Sequence, residues 1–258
     1  MPTKPKTTRR RRKRRSILPR LLALLLCLCL GLLGGKMVLQ RAVPALLHTR
    51  MPLGEGIPQE LLELAERNPE AYDFVAQYPQ LHDVHPAIDL SAEAQSGEIP
   101  HLLQWDTRWG YEPYGSGVIA VTGCGPTCLS MAALYLTGDA SVTPVAVAGY
   151  AEASGYYTSG YGTNWTLMSE GCAHFGLSAQ ELPFTESRMR EELDAGRPII
   201  CAMGPGDFTT TGHYIVVTGW EEGGFTVHDP NSVLRSGETW TFEQLNGQVR
   251  NLWSFQQG

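Results

Sequence analysis

The sequence predicts an α+β fold in which helices precede an antiparallel sheet. Three observations carry this. Between residues 126 and 195, three helical stretches each run into a glycine, at 138, 176 and 196. Beyond residue 196, four apolar, β-branched runs crowd together: "RPIICAM", "HYIVVTGW", "GFTVHDP" and "NLWSFQ". The middle two are joined by "EEGG", a hairpin connection that makes them antiparallel neighbours.

Charge divides the chain before any of these elements begin. Of 20 Lys and Arg, ten lie in residues 1–20, which hold no Asp or Glu; the other 238 residues carry ten basic against 26 acidic groups, a net of −16. Such a body repels nucleic acid, so nucleic acid is excluded as a partner and the basic arm, residues 1–16, is assigned to a membrane surface. The apolar stretch beyond it has an uncharged core of 15 residues, 21–35, against the roughly 20 that span a bilayer. Residues 17–39 reach that length if Arg20 and Lys36 snorkel to the two interfaces. The expectation is a single-pass anchor in the cell membrane, with the N-terminus cytoplasmic and everything after Arg41 extracellular. A cleaved signal segment is the alternative, which would make the body secreted. The long basic flank and the lack of an A-x-A site favour the anchor. Cys27 and Cys29 lie in this segment as small hydrophobes.

Residues 40–97 read as a helical stalk or linker. "IPQELLELAERNPEAYDFVAQYP" offers two short helices, each introduced by a proline at its first turn, Pro58 and Pro69. Leu61, Leu64 and Ala65 form one apolar stripe and Tyr72, Val75 and Tyr78 another. Neither helix is long enough to stand alone in water, so both are expected to dock on the domain C-terminal to them.

The domain proper spans residues 98–258. Helices are expected over 126–136, 164–175 and 186–195, and "TFEQ" at 241–244 has the spacing of a capping box. The four apolar runs beyond residue 196 supply its strands.

Chemistry centres on "TGCGPTCLS". Pro126 suits a first helical position, which puts Cys124 at or just before the N-cap. Unpaired N–H groups and the helix dipole there stabilise a thiolate, the attacking form of cysteine. Gly123 and Gly125 leave room for a substrate backbone to approach. A nucleophile needs a base and an orienting group. His213 opens one strand and Asp229 ends the next, so the hairpin can bring them together across 16 residues. His228 points to the opposite face by strand alternation and is a bystander. Gln104, in "QWDTRW", supplies a side-chain amide that, with the Cys124 N–H, would stabilise an oxyanion; Asp106 in the same stretch is a turn former. Cys128 is expected to pack in the core. Cys172 and His174 face different sides of a helix, so no metal site is expected, and no cofactor.

The order Gln104, then "CGPT" opening a helix, then Gly212-His213, then Asp229-Pro230 resembles the papain-like cysteine peptidases. More narrowly it is similar to cysteine peptidase family thirty-nine, relatives of the bacteriocin-processing peptidases, over about residues 98–258. The resemblance implies a papain-like cysteine peptidase fold, with the nucleophile at a helix N-terminus and a C-terminal antiparallel sheet. It also implies Cys124 as nucleophile, His213 as general base and acid, Asp229 as the orienting residue and Gln104 in the oxyanion hole. Better-studied members are fused to transporters and cut leader peptides after a double glycine; this sequence carries no ATP-binding motif, so its substrate is not inherited from them. The expected activity is hydrolysis of peptide bonds in a peptide or protein substrate. Two other readings stand beside it: a cell-wall peptide amidase using the same residues, and a non-catalytic domain that binds peptides or envelope components.

Overall fold

The computed structural model of the chain describes residues 53–258. The basic arm (1–16), the apolar segment (17–39) with Cys27 and Cys29, and the first part of the expected stalk lie outside the described residues. No helix among the described residues is long and apolar enough to cross a membrane.

A six-stranded antiparallel sheet organises the fold. Its spatial order is β1 (Leu177–Glu181), β6 (Val249–Gln257), β2 (Ile199–Met203), β3 (His213–Glu221), β4 (Gly224–His228) and β5 (Thr239–Trp240). All five residues of β2 are buried, because alternate side chains feed two different cores. Ile200 and Ala202 join Tyr214, Val216, Trp253 and Phe255 on one face. Ile199, Cys201 and Met203 join Ile215, Val217 and Leu252 on the other. A sheet covered on both sides reads as continuous apolar runs rather than alternation, which is what the four strand segments show. The β3–β4 hairpin closes at Glu221↔Gly224. Gly224 has φ 142°, and a Cβ there would lie 2.2 Å from the Trp240 carbonyl oxygen, so only glycine fits the turn.

Helix α2 (Cys124–Thr137) covers the first face together with α3 (Pro144–Ala153); α4 (Glu186–Asp194) covers the second through Met189. Every residue of α2 from Gly125 to Leu134 is buried. The helix ends at Gly138 with φ 68°, the left-handed stop its sequence predicts. Its start differs from expectation. Ile119–Thr122 already forms a helical turn, and Gly123 N donates to Ile119 O at 2.8 Å. The chain therefore enters α2 at Cys124, and Pro126 is the third residue rather than the first. A proline is tolerated there because the first four N–H groups of a helix have no acceptor within it.

The helix expected over 164–175 is broken. An α-turn, Thr166–Ser169, is followed by Glu170 outside helical geometry and then a tighter 3-10 turn, Gly171–Phe175. A Cβ at Gly171 would lie 2.9 Å from both Leu167 and the Tyr156 ring, so the chain packs closely there and glycine lets it tighten. Helix α3 and strand β1 lie where the sequence pattern marks no element. The capping box forms as its spacing predicts: Thr241 and Gln244 satisfy each other's backbone N–H groups ahead of Phe242–Leu245.

The N-terminal helices pack on this body. In α1 (Gln59–Arg67), Leu61, Leu64 and Ala65 are buried, with Pro58 capping the helix rather than opening it. The second expected helix is a chain of short turns, Pro69–Ala71, Tyr72–Ala76 and Tyr78–Leu81, in which Phe74 and Val75 are the buried anchors. These side chains form a third core with Tyr111 and Ala120. Tyr111 Oη donates to Phe74 O at 2.6 Å and its ring stacks on Phe74 at 4.2 Å.

Candidate active site

Cys124 is half-buried as the first residue of α2, its sulfur above a helix whose body is locked in the core. The flanking glycines have a further cause beyond the one the sequence suggests. A Cβ at Gly123 would lie 2.6 Å from the carbonyl oxygen of Ile119, and one at Gly125 would lie 2.8 Å from Cβ of Thr163. The chain's own packing requires glycine on both sides.

His213 opens β3 and Asp229 follows β4; the hairpin brings the imidazole Nε2 to 2.7 Å from Asp229 Oδ1. Asp229 is fully buried and His213 nearly so. Burial alone would depress the His213 pKa, but the Asp229 carboxylate and then the nearby Cys124 outweigh it, raising the value to about 10. Burial likewise pushes the Asp229 carboxyl up, and His213 together with Arg235 outweigh it, leaving the carboxyl below its ordinary value. A cysteine beside an imidazole that is itself oriented by a carboxylate is the side-chain order that nucleophilic thiol chemistry uses.

Both oxygens of Asp229 are occupied. Oδ1 also accepts from Asn231 N at 2.8 Å, and Oδ2 accepts from Arg235 Nε at 2.5 Å. Sequence reasoning missed Arg235. It stands on the short helix Val233–Ser236, which Ser232 caps by accepting from Arg235 N at 3.0 Å. The sequence signal was the serine–arginine spacing after Asp229, but nothing local says that the arginine turns back. The N-terminal segment holds this turn in place. Asn68 Nδ2 donates to Asn231 O at 2.6 Å, and Glu70 Oε2 accepts from Val233 N at 2.8 Å and Leu234 N at 3.1 Å.

Gln104 is buried beside Cys124. Its backbone N donates to Pro230 O and its Nε2 to Ala120 O, both at 2.7 Å. One amide hydrogen is thereby used and the second is left, while Oε1 has no partner among the described residues. Asp106 shapes a turn, accepting from Arg108 N at 2.9 Å. His228 stacks on His101 at 4.9 Å, away from the sulfur, and burial followed by the His101 charge lowers its pKa to about 4. Cys128, Cys172 and Cys201 are buried free thiols. Burial drives Cys128 well above the ordinary thiol value, Cys172 to about 11 and Cys201 to about 12. His174 stacks on Tyr150 at 4.0 Å, and no group of metal-ligating side chains occurs among the described residues.

Cys124 and His213 stand between two clefts. One, of about 360 Å³, is bounded by Leu64, Arg67, Gln104, Asn231 and Arg235. The other, of about 520 Å³, is bounded by Tyr161, Thr163, Trp165, Gly204 and Arg250. The connection between β2 and β3, residues 204–212, contributes to the walls of both. An extended chain crossing the sulfur would occupy both clefts at once.

Residues 97–256 match the family model described as Peptidase_C39 like family. No curated protein matches the chain. Among solved structures, a candidate C39-like peptidase from Bacillus anthracis is similar at 14% identity and a TM-score of 0.37, with 66% of this chain and 98% of that one covered.

Proposed function

The chain belongs to the C39-like peptidase family, and on that premise we propose that it is a thiol peptidase tethered to the cell membrane and working outside the cell. Its α+β architecture, with a cysteine at a helix N-terminus and a C-terminal antiparallel sheet, is papain-like. One observation supports the reading: the buried His213 pairs with Asp229 at 2.7 Å and, together with Cys124, lines both of two open clefts.

In this reading the Cys124 sulfur attacks the carbonyl carbon of a peptide bond. The oxyanion that forms is met by the Cys124 N–H and by the free hydrogen of Gln104 Nε2. His213 gives its proton to the leaving amine, then takes one from water as that water attacks the acyl-enzyme. Asp229 holds the ring in register throughout. Export and anchoring rest on residues 1–39, whose basic flank and apolar run supply the motive.

The test is turnover of a peptide library by the full-length chain. Cys124→Ala is expected to abolish cleavage and Cys128→Ala to retain most of it. Cleavage that survives Cys124→Ala removes the thiol mechanism, and equal loss in both variants points to folding damage instead. Carbonate extraction of membranes tests the anchor: release of the chain into the soluble fraction overturns it.

A further inference from the structure

Residues 53–258 hold all 26 Asp and Glu of the chain and no lysine; their basic side chains, histidines aside, are seven arginines. With so many carboxylates available, pairing is the default. Arg108, Arg188, Arg190, Arg197 and Arg235 each have a carboxylate within ion-pair distance. Arg67 and Arg250 have none among the described residues. These two line the clefts on either side of Cys124, Arg67 in one and Arg250 in the other.

Arg250 is placed by a specific device. Strand β6 pairs with β2 as Val249↔Met203 and then Asn251↔Ala202, so the register slips and Arg250 is the extra residue of a bulge. Bulges re-aim a side chain. Here the guanidinium swings over Gly204, where a Cβ would lie 2.3 Å from Nε. Nη1 donates to Gly247 O at 2.6 Å, which fixes the head and leaves its remaining N–H groups unused by carboxylate. His213 apart, Arg250 is the one charged side chain on the wall of that cleft among the described residues. Arg67 is fixed more lightly, with Nε donating to Glu63 O at 3.2 Å.

We infer that the substrate is an acidic peptide, with its carboxylates recognised by Arg250 on one side of the bond to be cut and by Arg67 on the other. Cutting rests on the peptidase reading, but recognition itself does not require turnover. A planar guanidinium with free donors matches a carboxylate in geometry as well as charge. The preference runs against the overall charge of the domain, which would favour basic peptides; two unpaired arginines beside the sulfur act at contact distance, where net charge is screened.

The experiment uses alanine-based octapeptides carrying Glu, Gln or Lys at each position in turn. Binding is measured by fluorescence anisotropy on the full-length Cys124→Ala chain, and cleavage on the Cys124 chain. Glu peptides are expected to bind about tenfold tighter than their Gln counterparts at one position on each side, with the gap closing at high salt. Arg250→Gln is expected to erase the preference on one side and Arg67→Gln on the other, bringing Glu and Gln peptides within about twofold of each other. Arg250→Glu should turn the preference toward Lys. Equal or undetectable binding of Glu, Gln and Lys peptides overturns the inference, as does a Glu preference untouched by both substitutions. Cleavage surviving Cys124→Ala, by contrast, sinks the peptidase reading and leaves the binding result to be judged by itself.

Discussion

Arg235 and Asp229 form an ion pair, Nε to Oδ2 at 2.5 Å, on the side of the carboxylate opposite His213. The carboxylate is fully buried, so each of its oxygens must find a donor inside the protein. Arg235→Met removes one of them. We expect a loss of about 3 kcal/mol, at the lower end for a broken buried pair because the guanidinium is partly exposed. Urea unfolding measures it, and a change under about 0.5 kcal/mol, the range of ordinary surface substitutions, contradicts the assignment.

The His213–Asp229 pair ties stability to pH at both ends of the scale. His213 titrates at about 10 when folded against 6.5 unfolded, so its contribution is complete below 6.5 and is lost as pH rises toward 10. Asp229 is held below 3.8, so its contribution is complete above that value and fades as pH falls further. The wild type should therefore lose stability between pH 7 and 10 more steeply than His213→Gln. Parallel stability curves for the two proteins would contradict the folded-state charge of His213.

Gly125→Ala forces a Cβ to 2.8 Å from Thr163. Overpacking of this kind costs about 1–3 kcal/mol. Since Thr163 also binds Tyr114 Oη and accepts from Tyr214 Oη, the whole wall beside Cys124 would shift. The double variant Gly125→Ala with Thr163→Gly should recover part of the loss, and a double-mutant cycle reads the coupling. Strict additivity would show that the two sites do not collide.

The family match begins at residue 97, yet the third core lies partly before it. A chain cut to residues 97–258 would expose Tyr111 and Ala120 and free Asn231 and Val233 from Asn68 and Glu70. It should melt at lower temperature than a chain starting at residue 53 and lose activity beyond what stability explains. Thermal melts with peptide turnover at a temperature where both fragments are folded decide the point.

Thiol accessibility separates the cysteines. Iodoacetamide should label Cys124 at least about a hundredfold faster than Cys128, Cys172 or Cys201, which are buried and held as thiols. Peptide mapping by mass spectrometry gives all four rates. Comparable labelling of Cys128 would mean that the top of α2 opens.

Much of this was legible in the sequence where local chemistry sets the outcome. The glycine stops at 138, 176 and 196, the Thr241–Gln244 cap and the Glu221–Gly224 hairpin each need only a few neighbouring residues. The pairing of His213 with Asp229 was legible from the hairpin connection, although nothing in the sequence announces the register shift between Val217 and Gly219 that lies on the way to it. Helix α3 escaped notice because "PVAVAGYAEA" is apolar nearly all round and shows no helical stripe. Strand β1, "LSAQE", is a mostly exposed sheet edge without the β-branched residues that mark a strand. Arg235 and Arg250 were illegible for a deeper reason. One depends on a turn anchored from Glu70, the other on a register slip against β2, and neither partner is near in sequence.

Because Thr211 and Gly212 wall both clefts, a chain bound across Cys124 as proposed would meet the same two residues on both sides. Drift at those two residues would alter what is accepted upstream of the severed bond together with what is accepted downstream. New preferences in descendants of this protein would then arise as matched pairs, or through side chains such as Tyr161 that touch only one half.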